Sequence, residues 1–114
     1  MEYLLLIYAD EKGAAAMDEP TWRVEVAKCL AFGEELAAQI KGANSLQPTT
    51  AATTVRVRNG KRLTTDGPFA ETKEQLAGYY LVEAANLDEA IALAEKNPIA
   101  PYGSIEVRPI RKLK

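Results

Sequence analysis

Histidine does not occur among the 114 residues of this sequence. That excludes imidazole acid–base chemistry, Ser–His nucleophile pairs and His-ligated metal sites within the chain. Cys29 is the sole cysteine, so an intrachain disulfide and a cysteine-cluster zinc site are excluded too. An excess of positive charge is also missing: 14 Lys and Arg stand against 16 Asp and Glu, a net charge of −2. A dedicated nucleic-acid or anionic-membrane binder would carry a basic footprint. No apolar run approaches the ~20 residues needed to cross a bilayer, and the start lacks the basic, then long apolar, pattern of a secretory leader. The expectation is a cytoplasmic protein. Gly60 and Gly67 stand too far apart to form a phosphate-cradling loop. No acidic run resembles a calcium or magnesium loop, so neither a metal nor a cofactor is expected.

What is present fits one folded domain spanning residues 1–114: 47% apolar residues make a core, and 26% charged residues are ordinary for a globular chain. Glu2 to Ala9 reads as a strand. Leu4, Leu6 and Tyr8 alternate with Tyr3, Leu5 and Ile7, so both faces are apolar and both need cover. A loop over Asp10–Glu19 follows. A helix then opens at Asp18, with Pro20 in its first turn, and runs to Lys41–Gly42. Its stripe of Trp22, Val26, Cys29, Gly33, Leu36 and Ile40 places Trp22 in the core and makes Cys29 a buried structural thiol. Ala43–Thr54 reads as an irregular connection.

Val55 to Thr65 reads as a hairpin about Asn59–Gly60, the dipeptide that supplies the positive φ angles of a type I′ turn. In that register Arg58 opposes Lys61 and Arg56 opposes Leu63, so Arg56, Arg58 and Lys61 share a face. That face either guards an edge against aggregation or binds an anion. These charges and the basic tail are too few to make nucleic acid an expected partner. Leu76–Ala84 is a second strand apolar on both faces. Asn86 caps a second helix with Leu87, Ala90, Ile91 and Ala94 as its buried stripe, stopped by Asn97–Pro98. Ser104–Ile110 is a final strand, with Ile105 and Val107 on one face and Glu106 and Arg108 on the other. The order predicts a ferredoxin-like α+β sandwich: an antiparallel sheet, two helices on one face and an extra β-hairpin. The uncovered sheet face predicts an isologous homodimer.

The segment Asp66-Gly67-Pro68-Phe69-Ala70-Glu71-Thr72-Lys73-Glu74, continued by Gly78-Tyr79-Tyr80-Leu81-Val82, resembles the DGPF branch of the YCII-related family. Tyr3–Tyr8 and Tyr102–Ile110 fit the same family, so the resemblance spans nearly the whole chain. It implies a protomer of the dimeric α+β barrel kind, with two sheets enclosing a cleft. An Asp and a His are proposed as an acid–base pair in the wider family. The Asp maps onto Asp66; the His has no counterpart here. The DGPF branch is also linked by gene placement to extracytoplasmic-function sigma factors, which implies a regulatory partner.

The candidate chemistry is therefore carried by carboxylates. Asp66 either moves a proton or accepts the N–H bonds of the Gly67–Pro68 turn. Glu71 lies in the same motif, while Lys73 and Glu74 read as a solvated charged segment. Glu106 and Arg108 face the cleft if Ile105 and Val107 face the helices, and a guanidinium there can hold a carboxylate or enolate oxygen. One of Tyr79 and Tyr80 joins them, depending on register. Two functions follow: a cofactor-free isomerase- or lyase-like enzyme acting on a small polar or anionic compound, or a non-catalytic ligand- or partner-binding accessory protein.

Overall fold

The computed structural model describes all residues, Met1–Lys114. Its elements are β1 (Glu2–Ala9), α1 (Glu11–Ala15), α2 (Glu19–Glu35), β2 (Ile40–Ser45), a single 3-10 turn (Thr49–Ala51), β3 (Thr53–Arg58), β4 (Lys61–Asp66), β5 (Gln75–Glu83), α3 (Leu87–Glu95) and β6 (Ser104–Pro109). Four strands form one antiparallel sheet in the order β2-β5-β1-β6, and β3 and β4 form a separate two-stranded sheet. This is the ferredoxin-like sandwich the sequence predicts, with the hairpin inserted between β2 and β5.

Strand alternation divides β1 cleanly. Tyr3, Leu5 and Ile7 are buried among Phe32 of α2, Leu36 at its C-terminal cap, Val82 of β5, and Ala90, Leu93 and Ala94 of α3. Tyr80 packs at the edge of this core, with its ring edge-on to Phe32 at 5.1 Å between centroids. The opposite face of β1 is only half-buried. The core is small, 10 buried residues of 114, because that second face is only partly covered and the hairpin buries no residue fully within the chain.

The helix caps are as expected: Asp18 accepts from the Thr21 amide, and Asn86 accepts from the Glu89 amide. Four details differ from the sequence reading. First, α2 stops at Glu35, and Ile40 begins an edge strand instead of a last helical turn. Leu36 and Ile40 fit a helical spacing, but Ile40 lies opposite Val82, where sheet pairing prevails over local periodicity. Second, the segment after Asp10 forms the short helix α1, with the Asp10 carboxylate accepting from the Lys12 amide. Third, burial is confined to the end of α2, at Phe32 and at Leu36 just beyond it, so Trp22 is 51% exposed rather than core. Cys29 is only half-buried. Fourth, α3 is rotated: Leu93 is buried while Leu87 and Ile91 are exposed.

The hairpin register matches expectation in every pair, including Arg58 opposite Lys61 and Arg56 opposite Leu63. Asn59 and Gly60 take positive φ angles of 52° and 75°, which only a residue tolerant of the left-handed region adopts cheaply. No helix is long and apolar enough to cross a membrane.

Candidate active site on the open sheet face

The face of the sheet turned away from the helices is built by register. Two rows of side chains cross it. One contains Gly42 (β2), Leu81 (β5), Leu4 (β1) and Arg108 (β6); the other contains Asn44, Tyr79, Leu6 and Glu106. Leu4, Leu6, Tyr79 and Leu81 make an apolar strip. Polar groups flank it on both edge strands.

At the β2 edge, the Asn44 amide nitrogen donates to the Tyr79 hydroxyl over 2.8 Å. The two residues are cross-strand partners, so the contact follows from pairing. Gly78 permits it: a Cβ there would lie 2.8 Å from the Asn44 carbonyl oxygen and 3.3 Å from the Ser45 Cα. Tyr79 therefore accepts from Asn44 and keeps its own O–H to donate. At the β6 edge, Arg108 donates through Nε to Glu106 over 2.8 Å and through a second nitrogen to the same oxygen. This pair is within one strand, and the guanidinium retains further donors for an incoming anion. At the end of the face, Ser104 donates to Glu74 over 2.7 Å.

Of the neighbours Tyr79 and Tyr80, it is thus Tyr79 that shares this face. Tyr80 lies on the other side against Phe32, and burial, with the Cys29 thiol nearby, pushes its phenol up. Burial, with Glu25 nearby, pushes the Cys29 thiol up as well, which suppresses thiolate.

Asp66 closes β4, and Glu71 lies in the loop beyond; both are exposed. The turn bonds expected of Asp66 are made by other groups: the Gly67 amide donates to the Ala52 carbonyl over 2.7 Å, and the Thr54 hydroxyl donates to the Gly67 carbonyl over 2.8 Å. Gly67 holds φ at 99°, a value suited to glycine. Phe69 is 79% exposed. Arg56 lies on the hairpin, which belongs to a separate sheet, so these residues are not brought onto the Tyr79–Arg108 face by pairing within one chain.

One anchoring residue escaped the sequence reading. The Glu11 carboxylate accepts from the Thr49 amide at 2.6 Å and from the Thr49 hydroxyl at 2.8 Å, while the Glu11 amide donates to Gln75. The Ala52 amide in turn donates to Thr49, so Glu11 ties the base of the hairpin to the end of β1. A polar groove of about 230 Å³, lined by Asp10, Glu11, Lys12, Thr72, Lys73 and Gln75, lies beside this tie. No three carboxylates or thiols converge as metal ligands.

The model of the YCII-related domain matches residues 1–114. The chain belongs to this family. An uncharacterised protein of Rhizobium meliloti (strain 1021) is 42% identical over 116 residues, covering 96% of this chain and 92% of the relative. Among solved structures, 5-chloro-2-hydroxyhydroquinone dehydrochlorinase (TftG) from Burkholderia phenoliruptrix AC1100, in complex with 2,5-dihydroxybenzoquinone, superposes with a TM-score of 0.58 at 18% identity. That alignment covers 97% of this chain and 94% of TftG. At that identity the likeness establishes the fold.

Proposed function

We propose that this YCII-related protein is a cofactor-free lyase- or isomerase-like enzyme acting on a small oxygenated anion, in a cleft between the open sheet faces of a homodimer. The observation that carries the proposal is the composition of that face: an apolar strip with a free phenol donor at one edge and a guanidinium at the other. A flat, oxygen-substituted ring suits it. Its body would lie on Leu4, Leu6 and Leu81, and its oxygens would meet Tyr79 and Arg108. The dehydrochlorinase TftG, with 2,5-dihydroxybenzoquinone bound on the same fold, supports that substrate class.

In this reading Arg108 and Tyr79 stabilise negative charge developing on a ring oxygen, and Glu106 orients Arg108. Asp66 or Glu71 moves the proton. Neither forms an ion pair within its own chain, so both are available to a substrate. The absence of histidine favours a second reading, a non-catalytic ligand- or partner-binding accessory protein, with a sigma factor as one partner of that kind.

The test is calorimetric titration of the full chain with 2,5-dihydroxybenzoquinone, alongside sedimentation equilibrium. Saturable binding by a dimer, lost in Arg108→Ala, is expected. A chain that stays monomeric, or binding indifferent to Arg108, would overturn the proposal. Binding of hydroxylated rings without turnover, unchanged in Asp66→Asn, would favour the accessory role.

A further inference from the structure

The β3–β4 hairpin packs against little of its own chain: only Thr54 and Arg56 are even half-buried. All of β4 is exposed, and Val55 and Val57 on β3 are 59% and 62% exposed. A two-stranded hairpin is marginal in water by itself. This one nevertheless has six residues in each strand, a complete ladder and a well-formed turn. It also extends the molecule: the radius of gyration is 16.0 Å, against roughly 13 Å for a compact chain of about this size.

Charge indicates what covers it. Arg56, Arg58, Lys61 and Arg62 form no ion pair within the chain. With Asp66 they give Thr53–Asp66 a net charge of +3, which leaves −5 on the rest of a chain whose total is −2. By strand alternation the open sheet face carries Glu2, Glu83 and Glu106 along its margin. Their existing cation partners are exposed pairs, and each carboxylate has acceptor positions left. Reach is sufficient: six extended residues span roughly 20 Å, and four paired strands measure about 15 Å across.

We infer that the hairpin is an arm for a second copy of this chain. It packs along the acidic margin of that copy's open sheet face through the side of the ribbon that carries Arg56, Arg58, Lys61 and Leu63, with Leu63 inward and the three cations toward the positions of Glu2, Glu83 and Glu106. The two arms are exchanged about a twofold axis. Each arm carries Asp66 and Phe69 at its base, so each cleft combines Tyr79 and Arg108 of one copy with Asp66 of the other. The inference rests on the open-face dimer proposed above. A nucleic acid is the poorer occupant, because the body behind the arm would repel it.

The experiment compares sedimentation equilibrium of the full chain with L63D, R56E/R58E and the open-face variant L6Q, at low and high salt, with circular dichroism as the fold check. A second measurement mixes D66N with R108A and titrates 2,5-dihydroxybenzoquinone. Both hairpin variants are expected to weaken the dimer at least about tenfold, as loss of an interface anchor does. R56E/R58E should also lower its salt sensitivity, and the mixed population should regain binding that neither variant shows alone. If L6Q dissociates the dimer while both hairpin variants associate like the natural chain, the arm is wrong and the open-face dimer stands. If the natural chain is monomeric, both fail. Hairpin-dependent retention on DNA or RNA with an unaltered dimer would assign the hairpin elsewhere and overturn the arm.

Discussion

Asn44 and Tyr79 are joined across β2 and β5 by a hydrogen bond of 2.8 Å, which holds a phenol on the open face one row from Arg108. The bond assigns Asn44 a positioning role. Tyr79→Phe removes the donor offered to a ligand, and Asn44→Ala removes the restraint on that donor. A neutral hydrogen bond contributes about 1 kcal/mol, roughly fivefold in affinity. Each variant should therefore weaken 2,5-dihydroxybenzoquinone binding by about that factor, and the double variant should weaken it by little more than Tyr79→Phe alone. Fully additive losses in calorimetry would mean that Asn44 acts independently of Tyr79.

The Glu11 carboxylate takes two hydrogen bonds from Thr49, and through Thr49 and Ala52 it steadies the turn at Gly67. Glu11→Ala should loosen the hairpin base without touching the core. Hydrogen bonds to a charged group contribute about 1.5–3 kcal/mol each, less where solvent competes. Amide exchange at Thr49 and Gly67 should rise by at least about tenfold in that variant, while Leu5 and Val82 keep wild-type protection. Uniform acceleration across the sheet would show that Glu11 supports global stability instead.

Much of this arrangement is legible in residue order. The two-sided apolar pattern of β1 and β5 announces a sheet with an unsatisfied face, and Ile105 and Val107 place Glu106 and Arg108 on it. Asn59–Gly60 specifies the hairpin down to its register. Three features are not legible. Strand β2, with Asn44, is made of Gly, Ala, Asn and Ser after Ile40 and Lys41, residues mostly poor in strand preference; its pairing with β5 is a tertiary effect. Trp22 fits a helical stripe as well as Phe32 does, and only packing against Tyr3, Leu5, Val82 and the rest of the core selects Phe32. Glu11 reads as one more surface carboxylate until Thr49, 38 residues away, is brought to it.

Glu83 stands directly opposite Glu2, a like-charge pairing that is unfavourable unless compensated. The compensation comes from both chain termini. The Met1 ammonium donates to Glu83 at 2.7 Å, and Lys112 pairs with Glu2. The hydrogen bond from Met1 holds the Glu83 carboxyl below its ordinary value of 4.5, and the bond to Glu2 raises the Lys112 ammonium above 10.5. A lowered carboxyl contributes stability above its unfolded pKa and loses it as pH falls through the folded value. Glu83→Gln should therefore melt slightly below the natural chain at pH 7, with the difference vanishing as pH drops below about 4. The raised Lys112 has the opposite sign: its contribution is full below the ordinary Lys value and fades as pH rises past it. Both groups are exposed, so both effects should shrink in high salt. A Glu83→Gln difference that grows on acidification would contradict the pairing.

Gly103 sits where the turn after α3 passes under the end of β1. A Cβ there would collide with the Tyr8 carbonyl oxygen and lie 2.6 Å from Ile99 Cγ2. The first contact is with backbone, so relief requires moving β1 or the turn, and the Gly103 amide is already bonded to the Ile99 carbonyl at 2.7 Å. Overpacking of this kind costs about 1–3 kcal/mol, and a shift of β1 would displace Leu4 and Leu6 on the open face as well. Gly33, within α2, has nothing within 4 Å of its notional Cβ, and alanine there removes a helix-interior glycine. Gly33→Ala should raise unfolding free energy by about 0.5–1 kcal/mol, whereas Gly103→Ala should lower it by more than about 1 kcal/mol. Urea unfolding of the two variants checks both signs. If Gly103→Ala matched the natural chain, the close passage of that turn under Tyr8 could not be a constraint on the sheet that carries the candidate site.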